Sequence, residues 1–286
     1  MQKRQTFLFA RPEPALENLA RIEWQERLAF SLYGARIGVQ SNAVAGLNAL
    51  VEMFPPQWRQ YHGARVDYIY SLYLAPPTRP GRKPFHTLYE NDKQLMRSRE
   101  LAHVTSRFES EMQLAVAQAA RGKVFVHAGV VGWRGRAILI PGRTFTGKST
   151  LVYELVRAGA VYYSDEYAAL DVQGRVHPFA RPLALRDETL ANRKISFDEL
   201  GGAIGKKALP VGTIVVAKYR KGARWRPREL TPGLGALALL ANCVTARSGD
   251  PAMLETLSRT ARRATIWKGA RGEARALAAQ LLAGLQ

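Results

Sequence analysis

Eight residues constrain this chain more than any others. Gly142-Arg143-Thr144-Phe145-Thr146-Gly147-Lys148-Ser149 fills every fixed position of G-x-x-x-x-G-K-[ST], the phosphate-binding loop. Ile138-Leu139-Ile140 precedes it, as a short buried strand does. Leu151, Val152, Leu155 and Val156 follow at helical spacing, with Gly159 where a C-cap glycine belongs. Strand, glycine loop and helix in that order is the context the motif requires, and it predicts an α/β fold. Gly142 and Gly147 let the backbone approach a phosphate closely. The loop N–H groups and the helix N-terminus then form a nest for anions. Lys148 is placed to reach the terminal phosphates, and Ser149 to offer its hydroxyl to a magnesium ion. The expected nucleotide contacts therefore run from Gly142 through Arg143, Thr144, Phe145, Thr146, Gly147, Lys148 and Ser149 to Thr150.

Composition narrows the class. The 286 residues allow one large domain or two small ones, and 47% of them are apolar, enough for a sizeable core. No apolar run approaches the ~18 residues of a transmembrane helix. The start, MQKRQTFLFARPEPALENLA, breaks its short apolar stretch with prolines and acids and does not read as a signal peptide. A single cysteine, Cys243, excludes an internal disulfide framework and a cysteine-rich metal site. A cytoplasmic location without membrane insertion is the expectation. The formal net charge of +19 fits either solvated arginines or an acidic partner such as nucleic acid, an acidic peptide or a membrane surface. Its richest stretch is Lys218 to Arg228, KYRKGARWRPR, with Trp225 inside. Such a loop can track a phosphate backbone, but Lys221-Gly222-Ala223 reads first as the tip of an exposed hairpin.

Along the chain, residues 1–121 form an α+β block. Strands are expected over 28–39, 66–75, 85–90 and 94–97, with helices over 42–53, N-capped by Asn42, and 101–121. Phe108, Met112, Ala115, Val116 and Ala119 share one face of the second helix. Residues 122–286 form a second block. Strands 124–131 and 137–140 flank a tight turn at Gly132-Trp133-Arg134-Gly135. A long strand is expected over 160–172, extended chain over 175–185, an irregular or weakly helical stretch over 187–210 with a mobile loop suggested by Gly201-Gly202 and Gly205, a strand over 213–219, and helices over 233–246, 251–263 and 272–285.

Twelve residues separate Lys148 from Val161, where the long strand begins, and Asp165 and Glu166 stand in its middle. A strand returning beside the loop brings one acid towards the terminal phosphate. Strand alternation points the other the opposite way. Adjacent acids inside a strand are costly unless they bind metal or accept a proton; the alternative is a bend that leaves both solvated. His127, between apolar residues of the strand before the hairpin, is a core histidine or a catalytic one.

The stretch from Val126 to Leu170 resembles the catalytic core of the HPr kinase/phosphorylase family and, more distantly, phosphoenolpyruvate carboxykinase. In that family a strand with His-Gly precedes a hairpin, the phosphate loop follows, and a pair of acids comes after a short helix. His127, Gly142 to Ser149, and Asp165-Glu166 stand at the corresponding places. The resemblance implies a phosphate-loop kinase core of mixed sheet and flanking helices, with the smaller N-terminal region packed on it and helping to form the substrate site. It implies ATP and Mg2+. Asp165 is then the general base, His127 the group that orients it, Lys148 the stabiliser of the transferring phosphoryl group, and Ser149 with Glu166 the magnesium ligands. Family members often form oligomers, so a homo-oligomer is implied as well. Three departures bear on the substrate. The second acid is Glu166 where the family usually has aspartate. Arg143 and Phe145 stand where small residues are common. The family's glycine-rich signature is replaced by Arg181-Pro182-Leu183-Ala184-Leu185-Arg186, in which Arg181 and Arg186 are candidates for holding phosphate charge. Phosphorylase activity and HPr as substrate therefore do not carry over. The chain more nearly resembles the HPr-kinase-related proteins of peptide-tailoring clusters, some of which phosphorylate a serine of a precursor peptide. A hydroxyl of a peptide, protein or small molecule is the expected acceptor. The alternative is a nucleotide-dependent regulator or nucleic-acid-binding NTPase, which the charge favours and the lack of a recognisable nucleic-acid module disfavours.

Overall fold

A computed structural model describes residues 8–9, 22–76, 84–142, 146–186, 192–245 and 250–285. The chain divides into two compact units, Met1–Arg121 and Gly122–Gln286, and both mix sheets with helices. In the first unit the order is β1 (Leu8–Phe9), β2 (Glu26–Leu32), β3 (Ala35–Ser41), α1 (Val44–Val51), β4 (Arg59–Gln60), β5 (Arg65–Val66), β6 (Tyr68–Tyr73), β7 (His86–Glu90), β8 (Lys93–Ser98) and α2 (Leu101–Ala119). Six strands form one sheet in the order β4-β2-β3-β6-β7-β8. Only β3 and β6 run parallel, because α1 carries the chain across between them. The β2–β3 turn places Tyr33 and Gly34 at φ of 50° and 83°, the left-handed pair that a tight hairpin needs. Asn42 does not cap α1. Its amide instead accepts from Leu74 N at 2.7 Å and donates to Leu74 O at 3.1 Å, stitching the end of β6 in place. Phe108, Met112, Ala115 and Val116 of α2 are buried as their spacing predicts, and Phe108 meets Tyr70 edge-on at 5.3 Å.

The second unit contains β9 (Lys123–Trp133), β10 (Arg136–Pro141), α3 (Lys148–Arg157), β11 (Val161–Ser164), β12 (Tyr167–Asp171), β13 (Arg175–His177), β14 (Leu183–Arg186), β15 (Asn192–Ile195), α4 (Phe197–Leu200), β16 (Leu209–Tyr219), β17 (Arg228–Glu229), α5 (Pro232–Leu240), α6 (Pro251–Arg262), β18 (Thr265–Arg271) and α7 (Ala274–Gly284). Pairing runs β10-β9-β12-β13-β16, and β16 then pairs back onto β10, so five strands close on themselves. β10, β16 and β18 are parallel and the remaining pairs antiparallel. Strand alternation sorts the core. Ile138 and Ile140 of β10 pack with Leu151, Leu155, Leu277 and Leu281 of α3 and α7. Ala137 and Leu139 face the other way, towards Leu239, Met253 and Leu257 of α5 and α6. Helices thus cover both faces of β10 and aim its C-terminal end at the phosphate loop. Among the described residues no helix is long and apolar enough to cross a membrane.

Four stretches depart from expectation. Chain 160–172 is two strands, because the Ser164 hydroxyl accepts from Glu166 N at 3.2 Å and Tyr167 N at 3.1 Å and so ends β11 in a turn. Residues 203–205 form no mobile loop: Ala203 O accepts from Tyr162 N and Gly205 N donates to Tyr162 O, both at 2.8 Å, extending the sheet beside β11. The helix expected to Ala246 ends at Leu240, since Asn242 and Val244 turn to bond His127 N and Phe125 O at 2.7 and 2.9 Å. Strand β18 was not foreseen, and it, rather than β16, pairs with β17. The basic stretch 218–228 is therefore a loop crossing the end of β18, not a hairpin of two mutually paired strands.

Candidate functional site

The loop's second glycine sits at the head of α3 in a left-handed conformation, φ 77°. A Cβ there would also collide with the guanidinium of Arg271, so only glycine fits. Gly142 donates its N–H to His127 O at 3.2 Å, which fixes the start of the loop against β9. Arg143, Thr144 and Phe145 lie outside the described residues. Lys148 is 7% exposed. Burial pulls its ammonium below the ordinary lysine range, while Glu166 and Asp165 act to restore it. Thr146 and Ser149 are half-buried and Thr150 is exposed.

The turn at Ser164 sets the two acids in different environments. Asp165 is 1% exposed, and both its oxygens are engaged. Ser149 Oγ donates to Oδ2 at 3.2 Å, and Ala184 N lies 3.4 Å from the same oxygen. The Tyr162 hydroxyl is 3.1 Å from Oδ1, with Arg181 Nε 3.5 Å away. Burial raises the Asp165 carboxyl above its ordinary range despite Arg181. The Glu166 side chain keeps 30% of its surface exposed, and its Oε1 meets His127 Nε2 at 2.9 Å. Arg181 Nη2 is 3.9 Å from Oε2. Burial pushes the Glu166 carboxyl up, but His127, Arg181 and Lys148 together outweigh it and hold the group below its usual value.

The sequence reading set His127 beside Asp165 and Ser149 beside Glu166. The structure pairs them the other way. β9 brings His127 directly opposite Tyr167, where its Nε2 meets Glu166, while the Asp165 side chain meets Ser149. The acids are also not both solvated, as a simple bend in the strand would leave them. Arg181 spans both carboxylates. Arg186 ends β14, and its side chain lies outside the described residues.

Sequence reasoning missed two contributors. Tyr162, fully buried, ties Asp165 to Arg181 O at 3.0 Å. Arg271, 3% exposed at the end of β18, donates to Gly147 O and Gly272 O, each at 2.9 Å. Burial lowers its guanidinium below the ordinary arginine value. The β-forming run Thr265-Ile266-Trp267 between two helical patterns was the signal for that strand.

Magnesium takes oxygen ligands and retains waters and phosphate oxygens around one or two carboxylates. Ser149 Oγ and Asp165 Oδ2 are two such oxygens, already facing each other beside the loop. No group of three His, Cys, Asp or Glu side chains able to hold a metal occurs among the described residues. The donor set thus fits an ion completed by nucleotide and water rather than an all-protein cage. Compared with protein-family models and with curated proteins, the sequence matches none.

Proposed function

We propose that this chain is an ATP-dependent kinase of the HPr-kinase-like type, transferring the terminal phosphoryl group to a hydroxyl, with serine of a peptide or protein as the favoured acceptor. One observation carries the proposal: behind the phosphate loop the two acids divide into a closed pair, Ser149–Asp165, and an accessible pair, His127–Glu166. A loop that only binds nucleotide has no use for the second pair.

Lys148 and the α3 N-terminus bind and orient the phosphates, neutralising charge where it develops. Ser149 and Asp165 would hold a magnesium ion, which would supply neutralisation of phosphate charge. Asp165 has no free oxygen turned outward, so it is not placed to take a proton from an incoming substrate. Glu166 is. Its half-buried carboxylate positions the acceptor hydroxyl and takes its proton, and the His127 hydrogen bond fixes the carboxylate's rotamer. Arg181 sets the spacing of the two acids. Base and metal ligand are thereby exchanged relative to the assignment implied by the family resemblance.

The test uses ATP labelled at the γ-phosphate, magnesium, and serine-bearing peptides, with label transfer to peptide measured for wild type and for Lys148→Ala, Asp165→Asn and Glu166→Gln. Transfer by wild type and its loss in all three supports the proposal. ATP hydrolysis without transfer to any hydroxyl acceptor counts against it.

A further inference from the structure

The loop that crosses β18 is strongly charged and lies next to the phosphate loop. Because β10, β16 and β18 are parallel, their C-terminal ends share one edge of the sheet, and each releases a functional segment there. β10 leads into the phosphate loop, β16 into the basic stretch, and β18 ends at Arg271. Arg220 N donates to Arg271 O at 2.8 Å, and Arg271 Nη2 donates to Gly147 O at 2.9 Å. Two hydrogen bonds therefore connect the basic stretch to the phosphate loop.

Arg220, Lys221, Arg224, Arg226 and Arg228 are all exposed. None of them makes an ion pair with another described residue. Across the β17–β18 ladder Arg228 stands directly opposite exposed Lys268, a like-charge pairing that costs stability rather than adding it. Two carboxylates border the cluster: Glu229, and Glu273, which accepts from the Tyr219 hydroxyl. The backbone beneath these side chains is anchored. Trp225 packs inward, its Cζ3 3.0 Å from where a Cβ on Gly269 would lie, and joins the core between sheet and helices. Exposed cations on a fixed support, uncompensated from within, form a surface matched to a polyanion.

We infer that this loop is the docking site for an acidic segment of the phosphoryl acceptor, which it holds beside the phosphate loop while the acceptor hydroxyl reaches Glu166. This rests on the kinase proposal above. A peptide fits the surface better than a nucleic acid does. Binding single strands relies on open aromatic faces on which bases stack. Here Trp225 is half-buried against the core, and Tyr219, 45% exposed with the Arg271 guanidinium 5.2 Å from its ring centre, offers a single ring rather than a platform for successive bases. Carboxylates need only the charges.

The experiment measures anisotropy of three fluorescein-labelled probes with the full chain: a peptide of alternating Glu and Ser, its Lys–Ser counterpart, and single-stranded DNA of equal charge to the first. ATP affinity is measured in parallel. The Glu–Ser peptide is expected to bind, less tightly as salt rises, and the Lys–Ser peptide not to bind. Reversing three exposed charges, Lys221→Glu/Arg224→Glu/Arg226→Glu, is expected to weaken Glu–Ser binding at least about tenfold and to leave ATP affinity unchanged. In the transfer assay the same variant raises KM for an acidic acceptor and leaves kcat unchanged. Equal binding of both peptides, unaltered Glu–Ser binding by the variant, or DNA binding tighter than the acidic peptide and lost in the variant each overturns the inference. Loop-dependent binding of the Glu–Ser peptide by a chain that binds no ATP supports the docking surface and sinks the kinase proposal instead.

Discussion

Two charged stretches adjoin the phosphate loop and handle their charge in opposite ways. The turn at Asp165-Glu166 is buried or half-buried, and every carboxylate oxygen there has a donor or cation within 4 Å. The loop from Arg220 to Arg228 is exposed, and among the described residues its cations have no anionic partner. Burial explains the contrast. An ion removed from water must be matched where it stands, whereas a solvated guanidinium can stay unmatched at small cost. The buried stretch is thus committed to one geometry, and the exposed stretch is free to be completed by a ligand. Perturbing the first should damage chemistry; perturbing the second should change only association and weak electrostatics.

The largest effect is expected at Glu166. Glu166→Gln keeps size and most hydrogen bonds but removes the proton acceptor, so kcat should fall by about 10²–10⁴ with ATP affinity nearly unchanged. His127→Ala should cost less, because it removes the group that orients the carboxylate rather than the carboxylate itself. It also has a signature that loss of structure does not share. The hydrogen bond from His127 holds Glu166 below its ordinary value of 4.5, so its removal should move the carboxyl titration upward, as read by 13C NMR. An unmoved titration would remove His127 from the site's chemistry.

Asp165→Asn comes next and should separate function from stability. Loss of the metal-side oxygen should reduce phosphoryl transfer by roughly 10²-fold. Stability should move the other way. The folded protein raises the Asp165 carboxyl above 3.8, so ionisation at neutral pH opposes folding. Asparagine has no such charge, and its amide can still donate to Tyr162 and accept from Ser149. A gain in Tm of about 2 °C is expected near pH 7. It should shrink as pH falls towards 3.8, where the wild-type carboxyl is itself protonated. A lower Tm at neutral pH would show that the charge stabilises its pocket.

The two stretches were not equally legible in the sequence. The phosphate loop and its helix could be read because motif, aliphatic strand and helical spacing are all local. The acids were readable as residues but not as roles. Their directions depend on the Ser164 turn, a hydroxyl–backbone competition that alternation rules do not register. Arg271 was missed for another reason: only the run Thr265-Ile266-Trp267 signals its strand. Its strand is half polar and stabilised by parallel pairing to β16, far away in sequence. Local propensity is a weak guide to such a strand.

Arg271 joins the basic stretch to the phosphate loop, and Arg271→Met tests that link. Methionine fills a similar volume without donors. The guanidinium is hydrogen-bonded to carbonyls, and burial disfavours its charge more than the nearby Glu273 carboxylate favours it, so stability should change little. ATP affinity should fall about 3- to 10-fold, since Gly147 loses the strut that fixes the loop. Arg271→Lys, which can keep one of the two bonds, should lie between. Unchanged affinity in both would mean that the phosphate loop holds its shape unaided.

The smallest effect lies in the basic loop. Arg228 and Lys268 face each other across β17 and β18 with like charge. Arg228→Thr removes the repulsion and adds a β-branched residue that suits a strand. It should stabilise the chain by a few tenths of a kcal/mol at low ionic strength. Salt is the control. Exposed charges are screened over about 8–10 Å at physiological ionic strength, and over about 3 Å at 1 M. The gain should therefore fade in 1 M salt if repulsion is its source, and persist if strand propensity is. Only the first outcome leaves the loop as a surface whose charge works against folding, and so as one kept for what it binds.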